Sequence, residues 1–354
     1  MPPPSLGSVR RIATTAGGAF AAFYIFYTGA PATLTTTNPG PGVRVGIVML
    51  IVVAVQPFVP LLSRWVTSRQ RMVTTALIAM GLGSAAMPFA AHWPGMMLLG
   101  AGFGVFVVAS TAWAKETAPQ QDLGKALGVY GFGSAIGGAL GAPTGLYLAQ
   151  TLGIHGTALA GALVALASIL PTRRIDRSRR HASTGLANES STPAGSASQP
   201  QPWGQVGLVG LGAHLLAVTI YATVLSTLST AQDLQHAWLP VLAAFMIQSS
   251  LAAGRLIGGW AANRWTPSKV GIPALTLLAL GTVGFTLSTL TAEMLAFTAV
   301  VGLASGTSQT VALTALMNRA NTTAAINKAS AAWNICFDLG LGLGAFAASV
   351  IAAA

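Results

Sequence analysis

Apolar stretches of about 18 to 25 residues recur along this chain, separated by short segments that carry small clusters of arginine and lysine. A helix of that length rises about 1.5 Å per residue and crosses a hydrocarbon core about 30 Å thick. The pattern predicts spans near residues 12 to 30, 43 to 63, 72 to 91, 94 to 114, 126 to 150 and 154 to 171. Five more are predicted near 204 to 226, 238 to 262, 269 to 290, 294 to 317 and 329 to 353. Composition agrees: 53% of the residues are hydrophobic and 7% charged, and the mean hydropathy is +0.66, unlike a soluble domain. The expected fold class is all-α integral membrane, a helical bundle of about eleven transmembrane helices.

A net charge of +11 and an isoelectric point near 10.9 would ordinarily suggest a nucleic-acid partner, but that function needs a basic face interleaved with polar and aromatic groups. Here the cations sit between the apolar stretches. With the N-terminus cytoplasmic, Arg10 and Arg11, Arg64 to Arg71, Lys115 and Lys125, Arg173 to Arg180, Arg264 and Lys269, and Arg319 and Lys328 all fall inside. Arg44 alone is left outside and Arg255 alone lies within a span, so the positive-inside bias sets the orientation and accounts for the basic excess. The expected location is the cell (inner) membrane, multi-pass, with anionic lipid as counter-charge and no nucleic acid. Arg10 and Arg11 followed by apolar residues and Ala30-Pro31-Ala32 also resemble a signal peptide, which a chain with ten further spans does not need. The single cysteine, Cys336, excludes disulfides and cysteine metal clusters within one chain.

Residues 172–203, rich in Arg, Ser, Pro and Gly, read as a disordered cytoplasmic linker between an N-terminal six-helix half, 1–171, and a C-terminal five-helix half, 204–354. The halves repeat each other. A shift of 200 residues lays Ser63, Arg64, Trp65 and Ser68 over Asn263, Arg264, Trp265 and Ser268. A shift of 203 lays Lys125, Gly137, Leu140 and Gly141 over Lys328, Gly340, Leu343 and Gly344. Two registers this close, in the same order, indicate duplicated halves of the parallel-repeat kind found in transporters.

On these residues the chain resembles the major facilitator superfamily over nearly its whole length. The segment 254–269, GRLIGGWAANRWTPSK, looks like that family's signature loop of glycine, acid, arginine and basic residues, with Arg64, Arg264 and Asn263 as gating-loop residues. The segment 137–145, GGALGAPTG, is similar to the glycine-rich fifth helix of its antiporters, and 329–346 looks like the eleventh helix of an arabinose-efflux-like branch. Two departures stand out. The acid of the signature loop is Ser63 in one half and Asn263 in the other, and the arginine usual early in the fourth helix is replaced within PGMMLLGAGFG. The family has twelve spans, and the repeat predicts a partner for 154–171 beyond residue 354, so an apparently missing twelfth span is expected, with Ala354 outside.

Gly133, Gly137, Gly141 and Gly145 recur every four residues and form a smooth ridge on the fifth span. Cys336, Gly340, Gly344 and Ala348 repeat it on the eleventh. Helix packing is the expectation for both, and the resemblance implies that these helices lie where the halves rock against each other. The glycine pairs lack the strand-turn-helix setting of a dinucleotide site.

Asp338 lies ten residues beyond Lys328, about 15 Å along a helix, and Arg255 precedes Arg264 by nine residues, about 13 Å, so both charges fall near the bilayer midplane. Their repeat counterparts, Ala135 and Val55, are uncharged. An isolated charge at that depth costs roughly 2.5 to 3.5 kcal/mol on insertion scales, so the two are expected either to pair directly or to share a polar cavity. Asn334 shares the Asp338 face, turned away from the Cys336 ridge. Gln248 lies on the Arg255 face, and Gln309, His214, Tyr24, Tyr27 and Gln56 are further candidates for a substrate or proton pathway, although a helix-to-helix hydrogen bond is the plainer role for each. Metal-ligand spacings and nucleophile motifs are absent from the sequence, and no cofactor is expected.

The resemblance implies a secondary transporter working by alternating access, an antiporter that moves a small molecule outward in exchange for protons. A truncated, transport-inactive membrane protein or an accessory subunit is the competing class. A membrane-embedded enzyme is disfavoured, because paired acid and base groups are missing from the spans.

Overall fold

The computed structural model describes residues 6–33, 41–66, 68–89, 92–173, 204–230 and 238–353. Regular structure among them is entirely helical. In order come α1 (Leu6–Thr33), α2 (Pro41–Val55), α3 (Val59–Trp65), α4 (Arg69–Ala86), α5 (His92–Thr117) and α6 (Leu123–Ala167). After the linker follow α7 (Gln205–Thr230), α8 (Trp238–Ala262), α9 (Pro267–Leu287), α10 (Thr291–Asn318) and α11 (Thr323–Ala353). Helix lies at each expected span, and 7 helical stretches among the described residues are long and apolar enough to cross a membrane. Most of the expected linker, 174–203, lies outside the described residues, as do Ala354 and the side chains of Ala30 to Arg44.

Three local departures from the expected spans have identifiable causes. The second span is broken between α2 and α3 by a 3-10 turn, Gln56–Phe58. Pro57 and Pro60 bring no N–H to that stretch, and the Val59 N–H closes on the Gln56 carbonyl instead. The third span begins and ends early: Ser68 caps α4 by accepting from the Arg71 N–H, and Pro88 disfavours helix at the residue before it. The fifth and sixth spans form one helical run in which Gly153 adopts φ 61° and ψ −157°. Gly29 lies against both Gly145 and Thr157, while Gly18 lies against Ser168, so the chain reverses direction there.

That reversal uses a backbone region essentially restricted to glycine. A Cβ on Gly153 would meet nothing within 4 Å, so the requirement is conformational. Gly153→Ala is expected to cost about 1–3 kcal/mol, measured as a lower melting temperature in detergent. Gly210→Ala in helical α7, also with open space around it, should be neutral or slightly stabilising.

The glycine ridges organise each half. Gly133, Gly137, Gly141 and Gly145 of α6 meet the backbone of Ala13, Gly17, Ala21 and Ile25 of α1 in the same order, so these two helices run parallel in near backbone contact. In the second half Gly340 and Gly344 of α11 lie on α7 at Leu215, Val218, Thr219 and Ala222. The ridges thus pack within each half, and a different face of α6 meets the opposite half. Arg69 and Glu116 form an ion pair of 2.6 Å that ties the start of α4 to the end of α5. Outward-facing leucines such as Leu140, Leu163, Leu280 and Leu343 are exposed, a surface that hydrocarbon covers without penalty.

Candidate functional site

Two seams join the halves. In one, α2, α3 and α5 lie on α11; in the other, α6 lies on α8 and α10. Each seam carries a polar tie near the middle of its helices and another two to three turns nearer the cation-rich end, and Ser330 of α11 also donates to the Val108 carbonyl of α5 at 2.7 Å. On the first seam the Gln56 amide donates to the Asp338 carboxylate, and Asn327 donates to the Ser63 hydroxyl at 2.6 Å. On the second, Arg255 donates through Nη1 to the Gly131 carbonyl at 2.8 Å and to the Ser134 hydroxyl at 2.7 Å. There the Asn263 side-chain oxygen accepts from the Gly124 N–H at 2.7 Å, and its amide donates to the Gln121 carbonyl at 3.2 Å. Ser63 and Asn263, which occupy repeat-related positions, thus each make neutral hydrogen bonds across a seam.

Local sequence explains the fit. The Pro57 break sets the conformation of the span at Gln56, and Gly131 leaves room for the Arg255 stem, which a Cβ would approach to 2.9 Å. Gly128 and Gly259 bring α6 and α8 together: a Cβ on Gly128 would come within 2.7 Å of the Arg255 carbonyl. Gly128, one position off the register of the predicted ridge, and Gly259 thus form the contact between α6 and α8.

Arg255 and Asp338 do not form the direct ion pair that was one of the two expectations. The ion pairs found among the described residues are Arg69 with Glu116 and Lys125 with Asp122. Arg255 and Asp338 instead line one cavity, with Phe20, Phe103, Val107, Tyr130, Ser134, Trp333, Asn334 and Phe337. Both are almost fully buried, at 4% and 6% exposure. The cavity measures about 10 Å³, room for about one water, so the halves are drawn together around it.

The remaining candidates sit around this centre in distinct roles. Gln309 accepts from Arg255 Nη2 at 2.8 Å and donates to Ser305, linking α10 to the arginine. Asn334 donates to the Ser330 carbonyl of its own helix and reaches the Val107 carbonyl and Thr111 of α5 across the halves. Gln248 accepts from the Tyr221 hydroxyl, a helix-to-helix bond within the second half, and does not line the cavity. His214 stacks on Trp333 with ring centroids 4.6 Å apart, and its Nε2 lies 3.2 Å from the Trp333 carbonyl. Tyr24 and Tyr27 pack with Phe23, and Tyr24 also lies against Gly138. Of the gating-loop residues, Arg64 is exposed and Arg264 rests over the Trp260 ring at 4.6 Å.

Ser134, Tyr130 and the aromatic group Phe20, Phe103, Trp333 and Phe337 were not anticipated. Ser134 had a signal: it lies one residue before Ala135, the repeat counterpart of Asp338. The aromatics had none, because apolar rings in a membrane span look alike whether they face lipid or a cavity.

The sequence profile of the Major Facilitator Superfamily matches residues 9–350. A search of curated proteins found no match. Solved structures share the architecture. The fucose transporter FucP in an outward conformation aligns with a TM-score of 0.65 at 14% identity, over 97% of this chain and 91% of that one. The human organic anion transporter MFSD10 aligns with a TM-score of 0.68 at 16% identity, over 98% and 94%. The proton:xylose symporter XylE, bound to 6-bromo-6-deoxy-D-glucose, aligns with a TM-score of 0.70 at 13% identity, over 98% and 88%. At these identities the likeness is one of fold. With the profile spanning nearly the whole sequence, two duplicated helical halves and a polar centre between them, the chain belongs to the Major Facilitator Superfamily, a multi-pass membrane transporter of small molecules and not an enzyme.

Proposed function

We propose that this transporter is proton-coupled, with Asp338 as the proton carrier, and that it exports its substrate in exchange for protons. One observation carries the coupling: a buried carboxylate near the middle of a span takes its hydrogen bond from Gln56, a residue of the opposite half. When the halves part, that bond breaks, and the carboxylate must find water, substrate or a proton. A group whose partner changes with conformation can couple proton binding to rocking. Arg255 is held by the same logic, with its bonds to Gly131 and Ser134 crossing the other seam. Export is supported by the likeness of the fifth span to that of antiporters. The cation distribution supports a cytoplasmic N-terminus, with the cation-rich end of the bundle inside.

The test uses purified protein in sealed vesicles with an imposed pH gradient, challenged with a panel of small solutes. At least one solute is expected to collapse the gradient with the wild-type chain, and the sign of proton movement distinguishes exchange from cotransport. Asp338→Asn should lose this proton movement while still folding and still permitting solute exchange without a gradient. Unchanged proton movement in Asp338→Asn would remove Asp338 from the pathway. No flux of any solute would favour the transport-inactive reading.

A further inference from the structure

We propose that the midplane cavity takes a small organic anion, its carboxylate bound to Arg255 and its flat apolar body held among Phe20, Phe103, Trp333 and Phe337. The inference rests on the transport reading above and takes this cavity, which Asp338 lines, as the transport site. Arginine offers five N–H donors and stays charged in proteins. The hydrogen bonds of Arg255 go to a backbone carbonyl, a hydroxyl and an amide oxygen, three neutral acceptors that leave two donors unspent. Among the described residues no carboxylate lies within ion-pair distance of it; Asp338, in the same cavity, is tied to Gln56. A buried cation without a counter-ion is expensive, and more so in a membrane. The two charges also differ in kind. Asp338 can discharge itself by taking a proton, whereas Arg255 cannot, so the permanent charge of the site is positive.

The surroundings select the rest of the ligand. Arg255 lies over the Phe337 ring at 5.7 Å, Phe337 stacks with Trp333 at 5.8 Å, and Phe103 lines the same cavity. Rings beside a guanidinium suit a planar apolar body that carries one anionic group able to accept two parallel N–H bonds. The polar groups of the lining, Arg255, Ser134, Tyr130, Asn334 and Asp338, lie beside these rings, so one end of the ligand is polar and the other apolar. As drawn together here the cavity has room for about one water, so the ligand enters when the halves separate and release the α6 ties of Arg255.

The experiment compares three probes of one shape and different charge, benzoate, benzamide and benzamidine, by thermal shift of the purified full-length protein. Saturable stabilisation by benzoate is expected, with benzamide and benzamidine at least tenfold weaker. Arg255→Gln should weaken benzoate binding at least tenfold, and Arg255→Lys should recover part of it. A readout that needs no arginine variant is quenching of tryptophan fluorescence in the wild-type chain. 4-Nitrobenzoate should quench and 4-nitrobenzamide should not, with the effect lost in Trp333→Phe. Preference for benzamidine, equal response to all three probes, or no benzoate binding overturns the proposal. A protein that moves protons with solutes in vesicles yet prefers benzamidine would keep the transport reading and discard the anion.

Discussion

Gly137→Leu is expected to prevent assembly of the first half. A Cβ at this position would collide with the carbonyl oxygen, carbonyl carbon and Cα of Gly17 on α1. These are backbone atoms of a packed helix, and no rotamer change can move them aside. The same ridge holds Gly133, Gly141 and Gly145 against Ala13, Ala21 and Ile25, so pushing the helices apart at one point weakens the close contact along its length. Overpacking a core commonly costs about 1–3 kcal/mol; a backbone collision with a larger side chain should exceed that range, against a total stability of about 5–15 kcal/mol. The expected result is loss of monodisperse protein after extraction. Gly342→Leu on the exposed face of α11, where a Cβ meets nothing within 4 Å, should extract and melt like the wild type. Normal melting of Gly137→Leu would show that the α1–α6 contact does not hold the half together.

Much of this architecture is legible in the sequence because the bilayer imposes a length and an apolar composition on every span, and because duplicated halves repeat their landmarks. The position of Asp338 and Arg255 at one depth follows from counting residues from Lys328 and Arg264. Their relation does not follow, since it depends on how far apart two neighbouring helices sit. Counting placed them level; packing set a cavity between them and gave each a neutral partner across a seam. The glycine pattern shows the same limit. Its four-residue period marks a ridge, but period alone cannot say which helix the ridge meets, and α1 proved to be the partner. The contact of α6 with α8 falls to Gly124, Gly128 and Gly131, spaced four and three residues apart on a neighbouring face. Gln56 was identified only as a polar residue in a span. Its importance comes from its reach to Asp338, a residue 282 positions away.

The second large effect is expected from fastening the cation-rich end shut. Ser63 and Asn327 lie on opposite halves and touch through their side chains at 2.6 Å. Ser63 sits about two turns beyond Gln56 and Asn327 about three turns before Asp338, far enough from the cavity that a bridge between them leaves its lining intact. Alternating access requires this contact to open once in every cycle. In a Cys336→Ser background, cysteines at 63 and 327 joined by a short, reducible bifunctional methanethiosulfonate reagent should hold the protein closed at that end. The measurement is solute-dependent collapse of an imposed pH gradient in sealed vesicles before linking, after linking and after reduction. The account predicts near-complete loss of flux on linking and full return on reduction, with each single-cysteine protein unaffected. Full flux through the linked protein would contradict rocking of the two halves about this centre.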